Sequence, residues 1–308
     1  MVCVPGESFL LWKTMERLVR EEIGRFLRES PYNIHTGCGE PYFDEPLVGF
    51  ASASDPIFTR YKEIIGDFHL TPAEFFEKTL SVGITRGTVI CWILPISRRV
   101  RESNRVEAQY PSLDWARTRT HGEACNDKLR EHLVAFLASL GHRAVAPMIS
   151  RVWKQFPTTP VGIASSWSER HAAYAAGLGT FSLNDGLITG KGIAHRCGSV
   201  ITDLLLTPSP VPVQIHTANC LFSRDGSCGR CIGRCPAGAI TEAGHHKEKC
   251  RQYVHERIPS EAGERYDVEV LGCGLCQADV PCEDRIPSAR DVIRTDRSRG
   301  FDRKRIDP

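Results

Sequence analysis

Apolar and polar positions follow a helical period in four segments of the first two-thirds of the chain. In residues 15–30, apolar side chains fall near one helical face and Arg and Glu on the other, which predicts an amphipathic helix. Because Met15 opens this helix, translation could begin there or at Met1. Three further helices are predicted over residues 70–82, where Thr71-Pro72 marks the start, 125–142 and 167–178.

Short, continuous apolar runs separate these helices and predict buried strands. They are LVGFAS at residues 47–52, TVICWILPI at 88–96, a short run opening at 143, and SVITDLLL at 199–206. Alternation of helices and strands predicts an α/β fold for the first two-thirds of the chain.

Composition narrows the class of protein. The 308 residues are 41% hydrophobic with a formal net charge of +2, which gives no argument for a nucleic-acid or acidic partner. No apolar run approaches the roughly 18–20 residues of a membrane span, and no secretory or twin-arginine signal opens the chain. We therefore expect a cytoplasmic protein with no membrane partner.

Cysteine distribution is the strongest chemical signal. Eight of the 13 cysteines lie between Cys220 and Cys282, and five are scattered before them. In a reducing compartment, clustered cysteines indicate metal ligands rather than disulfides. The run from Cys228 through Cys231 to Cys235-Pro236 has the C-x2-C-x3-C-P spacing of bacterial ferredoxins, which predicts two four-iron-four-sulfur clusters.

In two-cluster ferredoxins the cysteine before the proline binds the other cluster. With that exchange, the ligands of one cluster are predicted to be Cys220, Cys228, Cys231 and Cys282, and those of the second Cys235, Cys250, Cys273 and Cys276. A zinc ribbon of the two C-x2-C pairs is the alternative, and disulfides are another. Zinc would leave four cysteines without a role.

The change of composition after Pro208 and Pro210 predicts a domain boundary near residues 210–218. The predicted organisation is residues 1–30 as an N-terminal extension and helix, 31–215 as the α/β domain, 216–290 as a ferredoxin-like domain, and 291–308 as a charged tail.

Two glycine-rich stretches of the α/β domain are candidates for cofactor binding, because glycine lets backbone lie against a flat or phosphorylated ligand. Their candidate residues are Gly177, Gly179, Thr180, Phe181 and Asn184 in the first, and Thr189, Gly190, Arg196 and Ser199 in the second. Neither stretch has a nucleotide-binding fingerprint, and tight turns between strands are the alternative interpretation.

Four stretches together make the chain resemble the cobalamin-dependent iron–sulfur reductases, the family of epoxyqueuosine reductase and the reductive dehalogenases. They are LVGFAS, TVICWILPI, AAYAAGLG with the following LNDGLITGKGIAHRCGSVITDLLL, and the cysteine segment. The resemblance implies a nitroreductase-like α/β (α+β) domain that holds a base-off corrinoid, with the nearer cluster delivering electrons to cobalt and both glycine-rich stretches contacting the corrinoid. Cobalamin is expected ahead of flavin.

The chain departs from this family in two ways. The catalytic aspartate of epoxyqueuosine reductase falls on Ile163, and the helical repeats that handle tRNA do not follow the cysteines. We therefore expect a small-molecule substrate rather than tRNA, with a ferredoxin or flavodoxin as low-potential electron donor. The candidate proton donors are Tyr174 and Glu169, on the helix before the first glycine-rich stretch.

The function expected from the sequence is reductive cleavage of an unidentified small substrate, with electrons passing through two clusters to a corrinoid. An electron-transfer protein that docks a partner or binds flavin, without a substrate of its own, is the alternative. A cluster-based sensor of oxidation is a third possibility.

Overall fold

The computed structural model describes residues 5–211 and 215–291. The helices are α1 Pro5–Glu29, α2 Pro56–Ile65, α3 Pro72–Leu80, α4 Arg98–Arg105, α5 Leu113–Arg117, α6 Glu123–Ser139, α7 Glu169–Ala175, α8 Leu221–Asp225, α9 Arg230–Gly233, α10 Lys247–Gln252 and α11 Ile258–Ala262. The strands are β1 Leu47–Ser52, β2 Thr88–Pro95, β3 Ala144–Val145, β4 Gln155–Phe156, β5 Ala164–Ser165, β6 Gly179–Phe181, β7 Leu187–Thr189, β8 His195–Thr202, β9 Ile240–Thr241 and β10 Gly244–His245.

A four-stranded sheet in the order β1-β2-β8-β3 organises the α/β part, and each pair of neighbours is antiparallel. Every residue of the central strand β2 is buried, as its continuous apolar run predicts. Side chains alternate across the sheet, so Ile90 and Trp92 belong to the core with α1 and α6, and Val89 and Cys91 to the core with α2, α3 and α7. Helices therefore cover both faces, and the mixed α/β class is confirmed.

Several elements differ from their predicted limits. Helix α1 begins at Pro5, ten residues before the predicted start. Strand β8 lies earlier than predicted, because it pairs with β2 from His195 onward, and Leu204 and Leu206 leave the sheet to join the core. Helix α3 is confirmed together with its signal, a capping box in which Thr71 and Glu74 satisfy each other's backbone N–H groups.

The cysteine-rich part is made of short helices and the β9–β10 hairpin, and it lies against the α/β part. Ion pairs join the two: Arg105 contacts the buried carboxylate of Glu283 at 2.7 Å, and Arg117 contacts Asp267 at 2.6 Å. The separate ferredoxin-like domain stays a prediction, and the predicted tail beyond residue 291 lies outside the described residues. Within the described ranges, no helix combines the length and apolar character that crossing a membrane requires.

Candidate functional site

The eight clustered cysteines fall into two groups, which we call the first and second cysteine groups. In the first, burial raises the pKa of Cys282, and the thiols of Cys231, Cys228 and Cys220 raise it further. This set of neighbours is the one that the spacing predicts, with Cys282 joining three residues far from it in sequence. Ligation itself stays a prediction.

In the second group, burial raises the pKa of Cys276, and the thiols of Cys273, Cys250 and Cys235 act in the same direction. The thiol of Cys231 also acts on Cys276, so the two groups are neighbours. We assign Cys235 to the second group because its thiol acts, with that of Cys250, on Cys273 as well as on Cys276. The ferredoxin pattern predicts this crossing, although Cys235 lies four residues from Cys231.

The first group lines a small cavity of about 20 Å³, whose other walls include Ser182, Asn184, Ile188 and Ile193 of the α/β part. Among residues 5–211 and 215–291, no three Cys, His, Asp or Glu side chains converge on a single-ion site. The four thiols instead surround a shared space. Burial raises the pKa of Cys231 to about 12, so a thiolate there needs a positive metal centre to be stable. The donor set of four thiols around one space fits an iron–sulfur cluster.

The second group lies where the cysteine-rich part meets α4 and α5. Gly274, between Cys273 and Cys276, has φ +61°, and a Cβ there would meet the Trp115 ring at 2.0 Å. Only glycine therefore lets this loop lie flat on the indole. The Tyr266 hydroxyl also joins the cysteine-rich part to the turn before α5, by donating to the Pro111 carbonyl at 2.8 Å.

Asn184, a predicted cofactor residue, connects the two groups. Its side-chain N–H donates to the Cys276 carbonyl at 3.0 Å, and its oxygen accepts from the Ser182 hydroxyl and the Gly186 N–H. The same side chain lines the cavity of the first group. Asn184 therefore ties the α/β part to the cysteines, a role that its position in a glycine-rich stretch did not indicate.

The other residues of the first glycine-rich stretch form internal contacts. Gly177 has φ +71° and faces the Pro210 carbonyl, and Gly179 faces the Ile188 carbonyl in the β6–β7 hairpin. The Thr180 hydroxyl accepts from the Asn219 N–H at 2.9 Å. Phe181 packs on Tyr174 with ring centroids 5.7 Å apart.

Residues of the second stretch are divided between a turn and the sheet. The Thr189 hydroxyl donates to the Gly192 carbonyl at 2.9 Å, and Gly190 lies in that turn with open space around it. Arg196 is paired with Glu123 of α6 at 2.6 Å, and the buried Ser199 accepts from the Trp167 indole at 3.0 Å. In both stretches these contacts use the polar groups within the protein, and their contact with a corrinoid stays a prediction.

Glu169 lies in a buried charged network that the sequence did not reveal. Its carboxylate oxygens are shielded from solvent, and Arg130 Nη2 lies 3.4 Å from Oε1. Burial raises the pKa of Glu169 to about 7, and Arg130 and Ser199 act in the opposite direction. Burial thus prevails over the ion pair and moves the pKa of this carboxyl toward neutral pH.

Arg130 is the centre of this network. It is 1% exposed, donates to Glu123 at 2.9 Å and Asp127 at 2.5 Å, and also donates to the Cys197 carbonyl at 3.0 Å. Glu123 follows a π-helical turn at Thr118–Gly122, a geometry often found at functional sites. The helical period of 125–142 predicts α6, but it does not show which charged residues of that helix turn inward.

Tyr174, the other candidate proton donor, is half-buried beside Phe181 and belongs to the apolar contacts of α7 with the sheet. On the same helix, the His171 ring packs on Tyr61 with centroids 4.9 Å apart, and burial lowers the pKa of His171 to about 3. The structure does not bring the Tyr174 and Glu169 side chains into a described contact. Their catalytic roles stay predictions.

Comparison with known proteins gives a partial sequence match and a fold match. No protein-family model matches the chain. An epoxyqueuosine reductase of Bacillus anthracis is 28% identical over 119 residues, which are 37% of this chain and 29% of that protein. The matched part is thus under a third of the relative's length.

Two solved structures are similar over most of the chain. One is an epoxyqueuosine reductase with an epoxyqueuosine-modified tRNA stem loop, at a TM-score of 0.49 and 18% identity over 88% of this chain and 66% of that one. The other is a reductive dehalogenase described with a mechanism for B12-dependent dehalogenation, at a TM-score of 0.51 and 12% identity over 83% of this chain and 32% of that one. The second likeness shows a shared fold.

One prediction is wrong in the light of these relatives. The sequence led us to expect a small-molecule substrate and no tRNA, but a protein with the same name as the sequence relative has been solved with a tRNA stem loop. The prediction relied on the absence of tRNA-handling repeats from residues 283–308, and such repeats bear on how a tRNA is held and not on which molecule carries the reacting group.

The relatives are reductases by name, in agreement with the predicted oxidoreductase class. Part of the chain is similar in sequence to epoxyqueuosine reductase, and most of it has the fold of a reductive dehalogenase. The resemblance of this chain to the cobalamin-dependent iron–sulfur reductases is thereby confirmed.

Proposed function

We propose that this chain is an iron–sulfur reductase of the epoxyqueuosine reductase kind, with one four-iron-four-sulfur cluster on each cysteine group. The observation that carries the proposal is the sorting of eight cysteines into two groups of four, each from distant parts of the chain. A cluster bound there would store and pass single electrons.

The residues around the first group support this role by their chemistry. Ile188, Ile193 and Val280 are buried and exclude water from the cavity that the thiols line. Asn184 holds the loop of the second group through the Cys276 carbonyl, and Gly186 of the α/β part fixes the position of the Asn184 side chain. These contacts keep the predicted ligands in place before metal enters.

For the substrate, we propose epoxyqueuosine carried by tRNA, following the name of the sequence relative and the tRNA stem loop bound to its namesake. Reducing an epoxide to an alkene consumes two electrons and two protons and releases water. The protein must therefore supply a proton donor. Glu169 suits this task because its carboxyl is buried and its pKa is raised to about 7, near the working pH of a general acid.

Cobalamin remains part of the proposal on the strength of the sequence resemblance and of the B12-dependent dehalogenase that shares the fold. The glycine-rich stretches do not support it by their contacts, since Thr180 and Thr189 already use their hydroxyls inside the protein. We derive no chemical step through a corrinoid for that reason.

Anaerobic reconstitution tests the cluster proposal. The full chain should bind about eight irons and as many sulfides, with broad absorption near 400 nm that dithionite bleaches. Cys228→Ser should lose about half of this iron. Cys38→Ser, at a half-buried thiol outside both groups, is the matched control and should keep all of it. Stoichiometric zinc, or equal iron in both variants, would refute the proposal.

A second experiment separates a reductase from an electron carrier. Reconstituted protein, cobalamin and titanium(III) citrate are incubated with epoxyqueuosine-containing tRNA, and the nucleosides are separated by mass. Formation of queuosine supports the proposed substrate. The internal use of Thr180 and Thr189 favours the alternative, a dicluster electron-transfer protein. Full clusters with no cobalamin binding and no product would establish that alternative.

A further inference from the structure

Arg130 shares its guanidinium among three carboxyl groups. Its Nη1 donates to Glu123 at 2.9 Å and to Asp127 at 2.5 Å. Its Nη2 donates to the Cys197 carbonyl at 3.0 Å and lies 3.4 Å from Oε1 of Glu169. The shortest contacts of this cation with carboxyl oxygens are thus those to Glu123 and Asp127, and the contact with Glu169 is the longest.

Glu123 is held in its ionised form by a second guanidinium. Arg196 Nε donates to Oε2 of Glu123 at 2.6 Å, and the Asn126 side chain donates to Oε1 at 3.2 Å. Burial acts to raise the pKa of Glu123, but Arg196 and Arg130 outweigh burial and lower that pKa to about 2. Arg119, on the π-helical turn before α6, adds a positive charge that acts on the same carboxylate. Glu123 therefore carries its negative charge at every working pH.

Two buried thiols of the sheet face Glu169. Burial raises the pKa of Cys197 on β8 to about 12 and that of Cys91 on β2 well above its usual range, and Glu169 acts in the same direction on both. Burial also lowers the pKa of His195, at the start of β8, to about 4. Strands β1 and β6, which pack on α7 as well, contain no ionisable side chain. At neutral pH, Arg196 is therefore the charged group of these strands.

The remaining neighbours of Glu169 belong to α2 and α7. Burial raises the pKa of Tyr61 on α2, and its hydroxyl donates to the His171 carbonyl at 2.9 Å. The charged side chains of α2 lie toward solvent or pair with Glu74. On α7 itself, burial lowers the pKa of His171 to about 3, and Arg170 extends to the surface. The charges in contact with the Glu169 carboxyl thus come from α6.

We propose that Glu123 and Asp127 are positioning residues that keep the Arg130 guanidinium from ionising Glu169, which deepens the proposed function and rests on it. Burial raises the pKa of Glu169 to about 7, Arg130 acts against this rise, and Glu123 reinforces it. Glu123 acts in two ways, because it occupies Arg130 and also repels a negative charge on Glu169. The acid therefore keeps a proton to donate, and Arg130 remains close enough to stabilise the carboxylate after the proton has left.

The infrared C=O band of a protonated carboxyl measures the state of Glu169 in the anaerobically reconstituted full chain. The band that Glu169→Gln removes is assigned to this residue and followed as pH rises. Glu123→Gln keeps the size of the side chain without its charge, so the apparent pKa of Glu169 should fall by about one unit, a tenfold change in its protonation equilibrium. Asp127→Asn should lower it by less, because the Asp127 side chain is 43% exposed and solvent screens its charge.

Two controls separate charge from packing. Arg196→Gln removes a positive charge from the same network, so it should raise the apparent pKa of Glu169 or leave it in place. A packing defect that admits water would instead lower this pKa in Glu123→Gln and Arg196→Gln alike. Glu131→Gln, on the exposed side of α6 and paired with Lys128, should have no effect.

The proposal is overturned if Glu123→Gln does not lower the apparent pKa of Glu169, or if either control lowers it as much. Should Glu123→Gln fail to fold, Asp127→Asn decides: a fall in this pKa supports the proposal, and an unchanged or higher value refutes it.

Product formation distinguishes this inference from the proposed function. Where the parent forms queuosine, the rate should decline at lower pH in Glu123→Gln than in the parent, because a general acid is active only in its protonated form. An unmoved pH profile would refute the positioning role. If the parent forms no queuosine, the proposed function fails, and the infrared titration still decides whether Glu123 controls the charge of Glu169.

Discussion

Replacing Glu169 by Gln should make the protein more stable relative to the parent as pH rises. Burial raises the pKa of Glu169 to about 7 from 4.5. A carboxyl with a raised folded-state pKa contributes stability that is complete below the unfolded pKa and is lost as pH rises through the folded one. Because Gln cannot ionise, the Glu169→Gln variant does not lose this contribution to stability as pH rises.

The size of this effect follows from the two pKa values. Each unit is worth 1.36 kcal/mol, and between pH 5 and pH 8 the linkage relation gives a change of about 2.5 kcal/mol in the stability of Glu169→Gln relative to the parent. At about 2 °C per kcal/mol, the difference in Tm should grow by about 5 °C over this range. Any fixed cost of burying the amide is the same at both pH values and cancels.

Anaerobic thermal unfolding at pH 5, 6, 7 and 8 measures this difference. Glu131→Gln, on the exposed side of α6, is the matched control and should show no growing difference, because solvent screens that carboxylate. If Glu169→Gln is instead less stable than the parent by a constant amount, or loses stability as pH rises, then the pair with Arg130 prevails over burial. Glu169 would then be ionised at neutral pH and unsuited to donate a proton.

Three further substitutions test the contacts around the cysteines. Gly192→Ala should reduce stability strongly, since its φ is +81° and its Cβ would meet the Glu283 carbonyl at 2.2 Å, while Gly190→Ala in the same turn should be neutral in thermal unfolding. Glu283→Gln should lower the free energy of unfolding by about 3 kcal/mol, because it leaves the buried Arg101 with a weaker partner. It should also speed iron release to a chelator, and unchanged release would contradict this. Asn184→Ala should lower the free energy of unfolding by about 2 kcal/mol, because it removes the hydrogen bond to the Cys276 carbonyl. It should also retain less iron than the parent in the same chelator assay.

The elements recovered from sequence are those whose signal is local. Strand β2 is a continuous apolar run that ends up buried along its whole length, and α3 carries its cap and proline in the sequence. Helix α4, by contrast, was missed: its eight residues are mostly charged, and only contact with the cysteine-rich part gives Arg101 and Arg105 a partner in Glu283. Propensity does not reveal a helix whose stability comes from such distant ion pairs.

In the candidate site too, some features follow from a local sequence pattern and others from the tertiary structure. Ligand spacing within a short loop reflects the geometry of a cluster, so the cysteine pattern of residues 220–282 predicts both groups and the crossing of Cys235 and Cys282. Their role as ligands stays a prediction. The neighbours of Glu169 come from separate elements of the fold, and only the tertiary structure decided them. Since the charge state of Glu169 depends on burial and on the distance to Arg130, no pattern along the chain could have supplied it.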